Sequence, residues 1–417
     1  LNVIADYAGK REHDLYEYEN QYTLGIGSDS IISKSQPSLE SIDIYSEQVG
    51  FTKSLKLHQF AFGAKYVYAD IGYNSRLNLG NTTLAGVLSE DIDQRGDFKY
   101  FEKRLAVYGM YKYTSQLWEV QVGLRNEYTE WETRQRVKNQ LYTKRNDNIL
   151  FPSFFVSREM GDGNSLSLSY TQSINRPLYQ MVNPFVFHLS ETSYKEGNPD
   201  LKGELLYNAG LQFMLKSKYI FSLSALFIDR KINEIYEQIG EYQTRYMLRN
   251  NGTTKRLTLY MGIPFTWGIW NCRNNVELSQ SWYQNSAKCV NDFGVVLSSY
   301  NRIRLSKQLT AMSNLRYVRH YKQLFLIQKT DYIGVDVEGN YNCCKDRVNV
   351  NFGVKDLLNC RGKNKQIFRN GDFEHHSEFD FLSRKFFVSV TFNFSVGAKR
   401  AIRHDKEFSN EEDKERM

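Results

Sequence analysis

Apolar and polar residues alternate along much of this chain, and the stretch KFFVSVTFNFSVG at 385–397 shows the alternation most clearly. Successive side chains of a β-strand point to opposite sides, so this pattern predicts a strand with one apolar and one polar face. The same two-residue period recurs upstream, and no period of 3.6 residues competes with it. The apolar face of the stretch comprises Phe386, Val388, Val390, Phe392, Phe394 and Val396.

Placing strands by this alternation predicts about sixteen of them, joined as antiparallel hairpins. The fold class is therefore predicted to be all-β. The predicted strands lie near residues 1–8, 42–53, 58–71, 99–113, 117–131, 148–158, 164–173, 203–216, 219–238, 243–268, 272–284, 290–304, 308–320, 325–341, 346–357 and 385–397.

The connections between these strands alternate between short turns and long loops. Since antiparallel strands reverse direction each time, all the long loops are expected at one end. A two-sheet sandwich has no reason to segregate loop length in this way, whereas outer-membrane barrels combine short periplasmic turns with long extracellular loops. We therefore predict a transmembrane antiparallel β-barrel over 1–397, with its apolar rows facing lipid. The long loops are 9–41, 72–98, 132–147, 174–202 and 358–384.

Composition and charge agree with this interpretation. Aromatic residues make up 14% of the chain, which is typical of an ordered protein. The net charge of +7 is spread over the chain without a basic stripe, so no nucleic-acid partner is expected. No run of about 18 apolar residues occurs, so no transmembrane helix is predicted. Residues 398–417 carry six basic and six acidic side chains and are predicted to form a charged periplasmic tail.

The segment 173–201, SINRPLYQMVNPFVFHLSETSYKEGNPDL, carries three linked motifs. These are Arg176-Pro177, Asn183-Pro184-Phe185 and Gly197-Asn198-Pro199-Asp200-Leu201. Together with VGLRNEYT at 122–129 and KDLLN at 355–359, they resemble the C-terminal barrel of TonB-dependent outer-membrane receptors, in the family called outer-membrane β-barrel proteins.

This resemblance implies a 22-stranded barrel that holds an N-terminal plug preceded by a TonB box. The sequence shows neither, and we expect it to be the C-terminal portion of a longer receptor. The implied function is uptake of an unidentified solute, captured by the long loops and released when TonB acts through a plug not present in this chain. The implied partners are outer-membrane lipid, the TonB complex and the barrel-assembly machinery, and the implied location is the cell outer membrane.

Two other functions remain open from the sequence. One is a surface adhesin or assembly platform that uses its loops without transport. The other is a self-sufficient, sixteen-stranded passive porin. No catalytic motif occurs, so the protein is not expected to be an enzyme.

The segment 173–201 also supplies the candidate site residues. Pro177, Pro184 and Pro199 fix the backbone, and Gly197-Asn198 provides a turn that tolerates positive φ. With Asn183, these residues are predicted to stiffen the base of an extracellular loop. Weaker candidates for direct substrate contact are Arg176, Tyr179 and Phe185.

No metal or other cofactor is expected. The segment Glu374–Asp380 contains His375 and His376 together with acidic residues. Adjacent side chains in an extended chain point to opposite sides, so the two histidines form a poor chelate. We therefore interpret the segment as a polar loop tip.

Overall fold

The computed structural model describes residues 1–24, 28–81, 89–135, 141–189, 193–239, 243–285, 287–343, 347–370, 373–393 and 415–416. Most of these residues lie in extended strands, as the alternating sequence predicts. A short 3₁₀ helix, η1, spans Tyr179–Val182. Numbered in chain order, the strands are β1 (Asn2–Leu24), β2 (Ser28–Leu55), β3 (His58–Asn81), β4 (Ser89–Thr114), β5 (Trp118–Gln135), β6 (Leu141–Glu159), β7 (Ser165–Asn175), β8 (Val186–His188), β9 (Ser193–Glu196), β10 (Glu204–Leu215), β11 (Tyr219–Asp229), β12 (Ile232–Ile239), β13 (Gln243–Asn250), β14 (Thr253–Trp267), β15 (Trp270–Gln284), β16 (Cys289–Arg304), β17 (Leu309–Val318), β18 (Leu326–Gln328), β19 (Tyr332–Cys343), β20 (Val348–Lys355), β21 (Lys363–Asn370), β22 (Phe373–Asp380) and β23 (Lys385–Phe392).

Sixteen of these strands form one antiparallel sheet, which we call the main sheet. Its order is β1-β2-β3-β4-β5-β6-β7-β10-β11-β14-β15-β16-β17-β19-β20-β23. Each strand therefore pairs with the next main-sheet strand along the chain, and β1 and β23 lie at the two ends of the order. The predicted count of about sixteen hairpin-linked strands is confirmed.

The predicted loops near the start of the chain are largely strands. Residues 9–41 were expected to form a loop, but β1 and β2 continue as one hairpin with pairs from Asn2↔Gly50 to Leu24↔Ser28. The same extension lengthens β3, β4, β5 and β6. A hairpin that is polar on both faces still satisfies its backbone hydrogen bonds, so it can form without the apolar alternation used to find strands.

Later long connections fold into two small sheets at the same end of the main sheet. One has the order β12-β13-β9-β8 and the other the order β18-β21-β22. The predicted strand 219–238 is therefore divided into β11 and β12, which meet at Arg230 with φ of 57°. The predicted strand 243–268 is likewise divided into β13 and β14, beside Gly252 with φ of 119°.

The main sheet has two unlike faces. On what we call the outer face, large apolar side chains stand exposed, such as Leu105 and Val107 on β4 and Val122 on β5. The alternate residues form the inner face, where Arg104 and Ala106 are buried. An exposed apolar row of this kind is expected where a barrel meets lipid.

The last strand, β23, also presents an exposed apolar row in its described part. Phe386, Val388, Val390 and Phe392 are all exposed. The predicted lipid-facing residues Phe394 and Val396 lie outside the described residues. Of the predicted tail 398–417, the structure describes Glu415 and Arg416.

Tryptophans lie near both ends of the strands, as membrane interfaces favour. Trp118 and Trp267 are exposed beside short turns, and Trp282 is exposed near the opposite end of β15. Trp131 on β5 differs from these, because it packs on the inner face against a buried apolar cluster.

That buried cluster joins the inner face of β2–β4 to a loop that follows β7. We call residues 176–203 the inward-folded loop. Burying a large apolar side chain contributes about 1.5–3 kcal/mol, so these contacts hold the loop firmly against the sheet. The buried members are Ile42, Ile44, Val67, Ala69, Ile71, Tyr73, Phe98, Tyr100, Tyr179, Val182, Phe185 and Leu201.

Candidate functional site

The candidate substrate-contact residues lie where the inward-folded loop meets the inner face. The Arg176 side chain is 7% exposed. Tyr179 is fully buried, and Phe185 is 7% exposed. The structure therefore brings the three residues to one side of the sheet, packed against its wall, and their contact with a substrate stays a prediction.

Arg176 is held by an acidic residue of the sheet. Its guanidinium forms an ion pair with Glu127 on β5. The same carboxylate pairs with Arg125, and the Arg104 Nε lies 3.8 Å from Glu127 Oε1. Because ionised groups are costly to bury alone, this mutual pairing fixes where the loop leaves β7.

A second acidic residue, Glu102 on β4, lies beside this group. Glu102 is 2% exposed. Its Oε2 accepts a hydrogen bond from the Tyr100 hydroxyl at 2.8 Å, and its Oε1 lies 3.7 Å from Arg104 Nη1. The guanidinium of Arg416 faces both carboxylate oxygens. We call Glu102, Arg104, Arg125, Glu127 and Arg176 the wall ion cluster.

A third buried carboxylate contacts the 3₁₀ helix of the loop. Glu40 on β2 is 4% exposed and accepts a hydrogen bond from the Tyr73 hydroxyl. Gln180 Nε2 donates to Glu40 Oε2 at 3.3 Å, and Lys10 Nζ lies 3.5 Å from the same oxygen. Polar contacts thus fasten the loop at a second position.

The proline, asparagine and glycine motifs of the loop pack on one another. Asn183 Oδ1 accepts the Phe185 backbone N–H at 3.2 Å, which forms a turn around Pro184. The Asn198 N–H donates to the Met181 carbonyl oxygen at 2.8 Å. A Cβ placed on Gly197 would lie 2.0 Å from the Asn183 carbonyl oxygen, so the two motifs meet with no room for a side chain.

Asn198 also links the loop to other segments. Its Oδ1 accepts the Asp200 N–H at 2.9 Å across Pro199, and its Nδ2 donates to the Leu248 carbonyl oxygen on β13 at 2.9 Å. Pro177, the remaining predicted motif residue, is buried, and its carbonyl oxygen accepts from Arg416 Nε at 3.2 Å.

Glu204, the first residue of β10, connects three segments at the end of the inward-folded loop. Glu204 is 3% exposed. Its Oε1 accepts from Lys231 Nζ at 2.9 Å and from the Ile232 N–H at 2.7 Å, and its Oε2 accepts from Asn175 Nδ2 at 3.0 Å. The end of β7 and the start of β12 are thus joined to β10.

A small cavity remains between the loop and the wall. It measures about 40 Å³ and is lined by Glu102, Trp131, Asp147, Arg176 and Lys202 among others. Such a volume holds water but is far smaller than the 300–1,000 Å³ or so of typical small-molecule pockets.

The two small sheets meet through aromatic rings. Tyr236 lies 4.6 Å from the ring centroids of both Tyr246 and Phe368, and it stacks on His375 at 6.3 Å. His376 bonds instead to Glu374 Oε2 at 3.1 Å, so the adjacent histidines engage different partners. Within the described ranges, no group of three His, Cys, Asp or Glu side chains is arranged to hold a metal ion.

The KDLLN motif forms a corner between β20 and β23. Asp356 is fully buried, with φ of 52°. Its carboxylate accepts the backbone N–H groups of Cys360 at 3.1 Å and Arg361 at 2.9 Å. Arg361 also donates to both oxygens of Asp336 on β19 at 2.7 Å, so the Asp336 carboxylate is paired.

Sequence reasoning missed Glu40, Glu102, Glu127 and Arg416. The first three lie on the inner face of strands in which apolar and polar residues alternate. Polar residues are common at such positions, so the alternation gives no sign of which side chains they contact. The Arg416 contact joins residues 314 positions apart, and no local motif announces it.

No helix in the described part of the chain is long and apolar enough to cross a membrane.

Solved structures with the same fold are outer-membrane receptors and transporters. The siderophore receptor PiuA from Acinetobacter baumannii aligns with a TM-score of 0.56 and 12% identity, covering 92% of this chain and 64% of PiuA. The ferric yersiniabactin uptake receptor FyuA from Yersinia pestis aligns with a TM-score of 0.58 and 13% identity, covering 93% of this chain and 62% of FyuA. The copper transporter OprC aligns with a TM-score of 0.59 and 10% identity, covering 94% of this chain and 66% of OprC.

These likenesses establish the fold, a β-barrel like those of the outer-membrane receptors and transporters named above. The model of the outer membrane protein beta-barrel family matches residues 1–394, and this chain therefore belongs to that family. The predicted fold class and outer-membrane location are confirmed, and the family and the neighbours are receptors and transporters, not enzymes. The chain spans 62–66% of the length of the three proteins named above. A search of curated protein sequences found no match.

Proposed function

We propose that this chain is the translocation barrel of a receptor that takes up a solute with energy supplied by TonB. The structural alignment carries this proposal, because it covers 92–94% of the chain in three outer-membrane receptors and transporters. In the proposed receptor, further strands complete a 22-stranded barrel, and a plug domain contacts the TonB complex.

The structure suggests a task for each part of the barrel. The two small sheets and the long hairpins form the surface that first meets the solute. The inward-folded loop lies across the inner face, with Pro177, Asn183, Pro184, Gly197, Asn198 and Pro199 keeping it rigid. The exposed apolar rows contact outer-membrane lipid, and the aromatic residues of β23 serve as the signal for the barrel-assembly machinery.

The names of the neighbours suggest which solutes to test first. PiuA is a siderophore receptor, FyuA is a receptor for ferric yersiniabactin uptake, and OprC is a copper transporter. Ferric siderophores and copper complexes are therefore the first candidates for this barrel.

The decisive experiment measures uptake of radiolabelled ferric siderophores and copper complexes by cells that express the complete receptor, with and without TonB. We expect uptake of one such solute that disappears when TonB is deleted. Uptake that persists without TonB would indicate a passive porin. Surface binding with no uptake in either strain would favour an adhesin or assembly platform.

A second arm tests capture by the loops. Replacing the β12–β13 hairpin, Ile232–Asn250, by a short turn should abolish solute binding while the barrel still assembles. Barrel assembly is checked by the heat-dependent shift in electrophoretic mobility.

A further inference from the structure

The outer face of β3, β4 and β5 carries a recess of about 300 Å³. Lys103 in this recess lies two residues from Leu105, so both side chains point to the outer face. Lys103 is also directly opposite Tyr68 on β3 and Glu130 on β5, which places those two residues on the same face. The recess is therefore open to the surroundings of the barrel and not to its interior. Its lining residues are Tyr68, Phe101, Lys103, Glu130, Glu132 and Arg134.

The height of the recess in the membrane follows from β5. Trp118 and Tyr128 are exposed aromatic residues of the outer face, ten residues apart, which is about 33 Å along a strand. For a strand tilted by about 40°, this length corresponds to roughly 25 Å across the membrane, the height of the apolar band of an outer-membrane barrel. Glu130 is the next outer-face residue after Tyr128, so the recess lies at the level of the lipid headgroups. Because it lies on the side of the long loops, these headgroups belong to the outer leaflet.

The ion pairs around the recess leave one cation without a carboxylate. Glu130 Oε1 lies 3.1 Å from Lys144 Nζ, and Glu132 pairs with Arg134 Nε. Lys103 is exposed, and in the described part of the chain no carboxylate forms an ion pair with it. Three cations therefore accompany two carboxylates, and the ammonium group nearest to the apolar band is the one that is not neutralised.

Arg134 supplies a second cation to the same recess. Its guanidinium carbon lies 5.2 Å from the ring centroid of Phe101, and its Nε donates to Glu132. Its Nη1 and Nη2 form no hydrogen bond within the described ranges, so they are available to an acceptor. A guanidinium and a lysine ammonium are both common ligands of phosphate groups, because their charged N–H groups form strong hydrogen bonds to phosphate oxygens.

We propose that this recess binds a phosphate group of an outer-leaflet glycolipid, with Lys103 and Arg134 as its ligands. A water molecule occupies about 30 Å³ in the liquid, so the recess has room for a phosphate and part of the sugar that carries it. The acyl chains of the same lipid lie along the exposed apolar rows nearer the membrane centre, which include Leu105 and Leu124. The proposal depends on the outer-membrane location of the chain and not on uptake of a solute.

The test uses the complete receptor in detergent micelles, and the probe is lipid A with two phosphates. EDTA is present, so that no divalent cation bridges a phosphate to Glu130 or Glu132. We expect Lys103→Ala to weaken binding about fivefold, the usual effect of removing one cation at an anionic lipid surface. Adding Arg134→Ala should weaken binding by a similar factor again, whereas Lys103→Arg, which keeps the charge, should retain most of the affinity. Native mass spectrometry measures the bound fraction.

Two controls separate this recess from a general attraction of basic residues to lipid. Lys255 is exposed on β14 opposite Trp282, and its Nζ lies 5.9 Å from the ring centroid of Phe227, outside the recess. Lys255→Ala should therefore change the affinity for lipid A by less than about twofold. Lipid A without its phosphates has the same acyl chains, and it should bind equally to the unmodified receptor and to Lys103→Ala.

The phosphate-free lipid also protects the test from folding defects, because a misassembled barrel would lose affinity for both lipids. Equal affinity of the unmodified receptor and Lys103→Ala for the bisphosphorylated lipid would overturn the proposal. The proposal also falls if Lys255→Ala weakens binding as much as Lys103→Ala does, or if Lys103→Ala weakens binding of the two lipids to the same extent.

Discussion

At the scale of single residues, neighbouring positions of one strand face different media. Val122 on β5 is 51% exposed on the outer face, whereas Gln121 beside it is half-buried on the inner face. Trp118 marks one end of the apolar band and Tyr128 the other, so Val122 lies close to the middle of the membrane.

We expect Val122→Arg to destabilise the barrel by about 2–4 kcal/mol, because a charge near the bilayer midplane loses its hydration. Gln121→Arg is the matched control, and it should change the stability by less than about 1 kcal/mol because its side chain faces polar surroundings. Denaturant titration in lipid vesicles measures both. Equal losses at the two positions would mean that both faces of β5 lie in a dry interior.

A second residue-scale test concerns Gly197 in the inward-folded loop. Gly197→Ala places a Cβ 2.0 Å from the Asn183 carbonyl oxygen, so the two motifs must separate. We expect packing of the loop against the inner face to become less stable by about 1–3 kcal/mol, the usual cost of overpacking. Native-state proteolysis of the loop measures this change.

The control for this change is Gly50→Ala. Its Cβ would lie 3.3 Å from the hydroxyl at the end of the Tyr108 side chain, which can shift. Protease sensitivity of the loop should stay unchanged in this variant. If Gly197→Ala were equally harmless, the close packing between the Asn183 and Gly197 motifs would not hold the loop.

At the scale of elements, the sequence was informative about membrane strands and less so about the rest. The bounds of β5 and β16 were predicted within a few residues, because the lipid-facing side of such a strand must be apolar while the inner side can be polar. The small-sheet strands β8 and β21 escaped detection, since both have half-buried or exposed surroundings with no single apolar face. Their pairing depends on distant segments, which a local pattern cannot show.

The connection between β17 and β19 contains a titratable contact outside the strands. Asp331 accepts the His320 backbone N–H at 2.8 Å, the His320 ring Nδ1 lies 2.7 Å away, and the Tyr317 hydroxyl donates at 2.8 Å. The backbone hydrogen bond from His320, followed by the His320 side chain and Tyr317, lowers the pKa of Asp331 to about 2.

Because the folded-state pKa of Asp331 lies below the unfolded value of about 3.9, the contact favours the folded connection above pH 4 and is lost as pH falls towards 2. We expect the protection factor of the His320 amide, corrected for intrinsic exchange, to fall over this range. Asp331→Asn should remove the pH dependence. The Leu297 amide within β16 is the internal control, and a parallel fall there would indicate global acid unfolding instead.

At the scale of the whole molecule, the alternation of short turns and long loops sets the orientation in the membrane. Cys289 begins β16 at the long-loop end and is exposed, whereas Cys272 and Cys343 lie near short turns. Cys272, Cys289, Cys343 and Cys360 are all free thiols.

A membrane-impermeant maleimide applied to intact cells should therefore modify Cys289 and spare Cys272 and Cys343. The experiment is done in a Cys360→Ser background, because Cys360 lies at the same end as Cys289. Adding Cys289→Ser should remove most of the label, and lysed cells provide the control for total reactivity. Labelling of Cys289 only after lysis would place the long loops in the periplasm.

The serial strand order of the main sheet has a consequence for how the number of strands can change in evolution. Since neighbours in the main sheet are also consecutive main-sheet strands along the chain, one hairpin can be gained or lost as a unit. Duplication or loss of one hairpin alters the circumference by two strands and leaves the partners of most other strands the same. It also returns the chain to the same side of the membrane. The width of the pore and the chemistry of its surface loops can thus be inherited and varied independently.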